Sequence, residues 1–179
     1  MNAADSSAIP TCEWRTGVVC QFPDLKSTVR EYDGRRLCRA HAPCAGSSKT
    51  YDWMRPFVMD ESTRLGTRDF SGCIFPAGPD NAIADYQFPV STPGPARFVC
   101  RDCRFEGDVQ LGAPAWREID LSGSYFVGEA HIAGFARALT CTDSTFKGDV
   151  AISVFAPGTT VNLARCHFNR ELELSSLDT

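Results

Sequence analysis

The sequence predicts an all-β chain: a parallel β-helix solenoid with a small module ahead of it. Three observations lead there. One short pattern recurs four times in the C-terminal half at a nearly fixed period. Inside each copy the apolar residues stand at every second position, which is the spacing of a strand. Three cysteines and a histidine stand on an N-terminal segment that has few core residues of its own.

Residues 1–10 are small and polar, with no basic start and no apolar stretch. They read as a disordered tail, not as a secretory signal. Residues 11–44 form the module. Its Cys12, Cys20, Cys38 and His41 are spaced C-x7-C-x17-C-x2-H. Thiolates and a neutral imidazole are the donors a tetrahedral zinc ion takes, and a C-x2-H pair fits on one turn. The stretch from Gln21 to Arg36 is polar, so a structural zinc would supply free energy that the segment lacks. Cys44 is a competing fourth ligand. The other reading is reduced, buried cysteines beside a surface histidine.

Residues 45–68 comprise a linker, Ala45-Gly-Ser-Ser-Lys49, and an apolar cluster of Tyr51, Trp53, Met54, Phe57, Val58 and Met59. The cluster suits an N-terminal cap that hides the unpaired edge of a first coil. Pro56 should interrupt a helix there.

Residues 69–179 hold the repeat. Its anchors are Phe105, Phe126, Phe146 and Phe168, which lie 21, 20 and 22 residues apart. Seven before each stands Phe98, Ile119, Leu139 or Val161, and five before stands Cys100, Leu121, Cys141 or Leu163. Two before stands a small residue: Cys103, Ser124, Ser144 or Cys166. Apolar residues return four and six after, as in Val109 and Leu111 or Val150 and Ile152. Three anchors are followed by Gly-Asp or Gly-Glu one residue on, and the last by Asn169-Arg170-Glu171. A degenerate fifth copy precedes them with Phe70, Cys73 and Phe75. A period near twenty with strand spacing and a turn between apolar pairs is one coil of a β-helix, stacked on its neighbours because no coil buries its own apolar face. The five prolines between Pro76 and Pro95 read as a loop inserted in a long first coil.

These residues resemble the pentapeptide-repeat proteins, whose short unit has a central Leu or Phe with a small residue two before it. Leu121-x-x-Ser124-x-Phe126, Cys141-x-x-Ser144-x-Phe146 and Leu163-x-x-Cys166-x-Phe168 match two consecutive units. Phe105-Glu-Gly-Asp-Val109 and Phe146-Lys-Gly-Asp-Val150 are similar to a looser branch of that family. The resemblance covers about residues 69–177 and implies a right-handed, quadrilateral β-helix that serves as a binding surface. Such proteins sometimes begin with a module ending in Cys-x-x-His-x-Pro, here Cys38-Arg-Ala-His41-Ala-Pro43. The metal implied is structural and four-coordinate.

Charge is divided unevenly. Residues 1–68 carry ten Lys/Arg against eight Asp/Glu, a net of +2, and residues 69–179 eight against fourteen, a net of −6. No apolar run reaches membrane-spanning length. Nine cysteines without a signal point to a reducing cytoplasm and free or metal-bound thiols. Neither a phosphate loop nor a nucleophile motif stands out. His131 and His167 fall at solvent-facing offsets, and Cys73, Cys100, Cys103, Cys141 and Cys166 at core offsets. Asp102, Asp108, Asp120, Glu129, Asp143 and Asp149 form a carboxylate series that turn chemistry explains better than catalysis. The expected function is therefore a non-enzymatic, cytoplasmic scaffold that binds a protein partner through the faces of an acidic rod. Two alternatives are a DNA-mimicking inhibitor or protector of an enzyme such as gyrase, and nucleic-acid binding by Arg30, Arg35, Arg36 and Arg39. At the far end nothing long enough follows Leu174 to cap a β-helix. A homodimer through the C-terminal coil, or continuation in a longer chain, is expected there.

Overall fold

The computed structural model describes residues 12–15, 20, 22, 25, 28–45, 47, 49–64, 69–87, 97–154 and 158–176. The tail expected over 1–10 lies outside the described residues. In chain order the elements are β1 (Arg30–Tyr32), β2 (Arg35–Leu37), α1 (Tyr51–Arg64), β3 (Ile74–Phe75), β4 (Ala84–Gln87), β5 (Arg97–Val99), β6 (Arg104–Phe105) and β7 (Val109–Asp120). They continue with β8 (Tyr125–Phe126), β9 (Ala130–Thr140), β10 (Thr145–Phe146), β11 (Val150–Val154), β12 (Thr160–Asn162), β13 (His167–Phe168) and β14 (Leu172–Ser176).

The repeats stack as parallel strands, as their spacing predicts. The short strands β3, β6, β8, β10 and β13 form one five-stranded sheet in that order. The longer strands β4, β7, β9, β11 and β14 form a second sheet, to which β5 and β12 add through the far halves of β7 and β9. Registers put like on like: Phe75 opposite Phe105, Phe105 opposite Phe126, Phe126 opposite Phe146, and Phe146 opposite Phe168. The five anchor rings therefore make one ladder, with centroids 4.6, 4.5, 4.6 and 5.0 Å apart and planes within 14° of parallel. That interval is the strand spacing itself, so each ring sits over the next with no lateral slack.

Beside the rings runs the ladder of small residues, and it joins coils by hydrogen bonds. Ser124 Oγ donates to the Cys100 carbonyl at 2.8 Å and accepts the Cys103 N–H at 3.1 Å. Ser144 repeats this one coil on, donating to Leu121 O at 2.9 Å and accepting the Ser124 N–H at 3.3 Å. A hydroxyl is small enough for the corner and satisfies two buried backbone groups there.

Three residues before each anchor the chain turns through the left-handed region, at Gly72, Asp102, Gly123, Asp143 and Arg165, with φ between 55° and 74°. Gly and Asp tolerate that conformation; the arginine of the last coil adopts it as well and carries an exposed ion pair to Asp143 at 2.6 Å. The Gly-Asp turn after the anchor has another origin. A Cβ on Gly148 would lie 2.4 Å from Gly128 C, and one on Gly128 2.5 Å from Asp108 N. These glycines are required by close approach of neighbouring backbones.

Two expectations need correction. Residues 51–64 are a helix despite Pro56. Thr50 starts it, its carbonyl accepting the Met54 N–H at 2.9 Å. Proline in the second turn removes one helical donor, and burial of Met54 and Val58 outweighs that loss. The stretch from Pro76 is not only a loop. A 3-10 turn at Pro79–Asn81 leads into β4, which pairs with β7, Ala84 opposite Val109 and Tyr86 opposite Leu111. Tyr86 is buried and its hydroxyl donates to Pro76 O at 3.0 Å. Only residues 88–96 of the expected loop lie outside the described residues.

Candidate metal centre and acidic face

The module is built on a hairpin. Strands β1 and β2 pair antiparallel across Asp33-Gly34, both with positive φ (48° and 75°), as a two-residue hairpin turn demands. The hairpin delivers Cys38 at its end. A turn follows in which the Cys38 carbonyl accepts the N–H groups of His41 and Ala42 at 3.0 and 2.9 Å, so Cys38 and His41 face the same point. The Glu13 N–H donates to Arg36 O at 2.7 Å and lays the Cys12 segment alongside β2.

Cys12, Cys20, Cys38 and His41 bring one ligand atom each to a common centre, all within 4.8 Å of one another. His41 Nδ1 lies 3.3, 3.7 and 3.2 Å from the sulfurs of Cys12, Cys20 and Cys38, and the Cys20 and Cys38 sulfurs are 3.8 Å apart. A tetrahedral ion with bonds of about 2.3 Å to sulfur and ~2.0 Å to nitrogen needs edges of roughly 3.6–3.8 Å. The set is therefore nearly the size of one metal ion's shell. The outer contacts agree. His41 Nε2 is 3.2 Å from the Ser71 carbonyl, which accepts its proton and leaves Nδ1 free as a ligand. The Cys38 N–H donates to Cys12 Sγ at 3.2 Å. Trp14 stacks on the imidazole at 5.1 Å, and Phe22 lies at 5.6 Å.

Hydrogen bonds from Cys20, then Cys38, pull Cys12 far below the ordinary thiol value. The bond to Cys12 pushes Cys20 up to about 11, and bonds to Cys12 and Cys20 raise Cys38. Hydrogen bonds among the three sulfurs thus favour a thiolate within the cluster, and a bound cation would favour all three as thiolates. The cluster can hold a metal ion. Cys44 is not in the group, and burial raises its thiol.

The module does not stand apart from the solenoid. Its Phe22 packs on Phe57 of α1 and on Phe70 of the first coil, at 5.3 and 5.8 Å. Phe22, Val29 and Leu37 share one apolar core with the repeats. The sequence reading found Gln21–Arg36 core-poor because the residues that complete its core come from elsewhere in the chain. Ala40 takes a further role. Arg104, Tyr125, Thr145 and His167 each donate a backbone N–H to the small residue of the preceding coil, and Ile74 at the same place donates to Ala40 O at 3.2 Å. The turn after Cys38 fills the position of a coil before the first. Lys49 is buried under it, its ammonium donating to Ala40 O at 2.9 Å, and burial lowers its pKa.

The acidic residues separate by role. Asp120 is buried and accepts from Arg97 Nη2 at 2.9 Å, Arg101 Nε at 2.8 Å and Ser122 Oγ at 2.7 Å. Asp102 and Asp143 pair with Arg15 and Arg165. Asp108 and Asp149 accept the N–H of Glu129 and Glu171 in the next coil, at 2.8 and 3.1 Å. Glu129, Asp149, Glu171 and Glu173 line a shallow groove of about 180 Å³ with His131. His131 and His167 are exposed, and Cys73, Cys100, Cys103 and Cys141 are buried. Of the four module arginines, Arg36 pairs with Glu13 and Arg39 lies over the Trp53 ring at 4.2 Å. Among the described residues no helix is long and apolar enough to cross a membrane.

No family model, curated protein or solved structure matches the chain.

Proposed function

We propose that this chain is a non-enzymatic interaction protein of the pentapeptide-repeat kind, in which a zinc-stapled module starts a β-helix whose acidic side holds a protein partner. The observation that carries the reading is the carboxylate row: one acid per coil at Asp108, Glu129, Asp149 and Glu171, each in the turn immediately before a strand that pairs in register with its neighbours. Coils about 4.8 Å apart give the row a flat, repeating pattern that suits a basic surface. The interior, filled by rings and small side chains, supports a structural use of the repeats. The Cys3His donor set supports zinc over hard cations, and nine free thiols support a reducing, cytoplasmic setting.

Reversal of Glu129 and Glu171 to lysine tests the reading. Cross-linked partners captured by the native chain should be lost, while the melting curve stays in place; unchanged capture overturns it. Metal analysis of protein purified without added zinc should give one zinc per chain, and less than about a tenth of an equivalent in folded protein would exclude a structural zinc. The even spacing of the row also favours a second reading, mimicry of duplex DNA. In that case the chain inhibits a gyrase-type enzyme and binds no duplex itself.

A further inference from the structure

The seam between the module and the solenoid holds a cleft of about 510 Å³. Its floor includes Leu37, Pro43 and Ile74, and its walls carry Arg15, Arg35 and Arg104 against a single carboxylate, Asp102. Counting Glu106, which pairs with Arg104, the seam carries three arginines against two carboxylates, and its net charge of +1 runs against the acidic character of the solenoid. Two of the three arginines are ion-paired, both at the surface. Arg15 and Asp102 form an exposed pair at 3.0 Å, with 60% and 49% of their side chains in solvent, and such a pair is easily exchanged for another. Arg35 gives its hydrogen bonds to the carbonyls of Glu13 and Trp14. Arg104 lies between Glu106 at 2.9 Å and the Tyr125 ring. A fitting occupant carries two carboxylates and an apolar side chain on an extended backbone.

The other end of the molecule presents such a segment. Glu171-Leu172-Glu173-Leu174 runs into β14, which pairs with β11 along one edge and has no partner on the other among the described residues. Glu171 and Glu173 are exposed, and Leu174 is 57% exposed. In the inner coils the residues at its position, Leu111, Ile132 and Ile152, are at most 2% exposed.

We propose that the arginine-walled cleft of one molecule receives the acidic segment Glu171–Leu174, at the β14 edge, of a second copy, so that copies associate head to tail. The inference rests on the acidic side being a docking surface and names the chemistry that meets it. Because the two patches differ, the contact is heterologous and continues beyond two copies unless a ring closes. An end-to-end dimer through the last coil would stop at two.

Sedimentation velocity on the full chain tests this from low to high micromolar concentration. The weight-average mass should rise past that of a dimer and fall back in high salt. Arg35→Glu with Arg104→Glu, or Glu171→Arg with Glu173→Arg, should each weaken association at least ~100-fold. Mixing the two variants should restore it, which a folding defect would not allow. A monomer at every concentration, a dimer that survives the arginine reversals, or no recovery on mixing would overturn the proposal. If self-association fails while the glutamate reversals still abolish capture of another partner, the scaffold reading stands alone. If those reversals leave capture unchanged, that reading falls as well.

Discussion

At the scale of single residues the tightest constraint is the distance between coils. Gly148→Ala sets a methyl 2.4 Å from the backbone of the previous coil and 2.5 Å from the Glu129 nitrogen, and strand spacing cannot widen locally. It should cost about 3 kcal/mol. Gly34→Ala has a positive φ but open space around it, so only the left-handed conformation is penalised, by roughly 1 kcal/mol. Urea titration of both variants checks the contrast; equal losses would contradict it. The ring ladder gives a second pair. Phe146 is fully buried between two rings and Phe168 is half-buried at the end. Phe146→Ala should cost about 3–5 kcal/mol and Phe168→Ala clearly less. Asp120 gives a pH dependence. Burial pushes its carboxyl up, but the Arg101 bond and the two Ser122 bonds outweigh this and hold it below the ordinary value. Its contribution is fully present above about pH 4 and is lost as pH falls through the lowered folded value. Asp120→Asn should flatten the acid limb of urea midpoint against pH; an unchanged slope would count against the network.

At the scale of elements, what the sequence made legible is whatever repeats. Seven offsets recurring in all four copies, and an eighth in three, locate β6, β8, β10 and β13 and the strands around them, because each coil meets the same environment. The meeting of Cys12, Cys20, Cys38 and His41 in one cluster was legible from donor type and spacing. Elements that occur once were not. In α1, Pro56 is a strong local signal, and it is overridden by Met54 and Val58 packing into a core that no local window contains. In β4, Ala84 and Tyr86 stand where other coils carry Val109 and Leu111, but the insertion before them shifts the offset and hides the match. The Ala40 contact makes the module an element of the solenoid. Chelation of the metal should therefore remove hydrogen-exchange protection from the Ile74 amide, its donor to Ala40, and leave the Thr145 amide protected at that stage. Equal protection of Ile74 with and without metal would contradict this coupling.

At the scale of the whole molecule, one apolar core runs from Cys12 to Ile152. No boundary in it separates a module that melts alone from a rod that stays ordered. Cys38→Ser should lower the melting temperature of the entire chain in one transition, with tryptophan fluorescence and far-UV circular dichroism coincident. Two separated transitions would show independent units. The core thins toward the other end, where Val161, Leu163, Cys166, Phe168 and Leu172 are only partly buried. Stability thus falls from the inner coils to the last one, and fraying should begin there.

The carbonyl of Ala40, standing in for a coil that does not exist, also bears on how the chain is made. A stack of identical rungs has no natural first rung, and any two can pair out of register. Here the first partner is synthesised ahead of every rung. By the time Ile74 leaves the ribosome the Cys38–His41 turn is already outside, able to present a finished edge. Each later rung then meets a single template of the correct height and phase. With a metal ion bound, the Cys/His cluster would act as the starting clamp of a zipper, fixing where the winding begins and in which direction it runs.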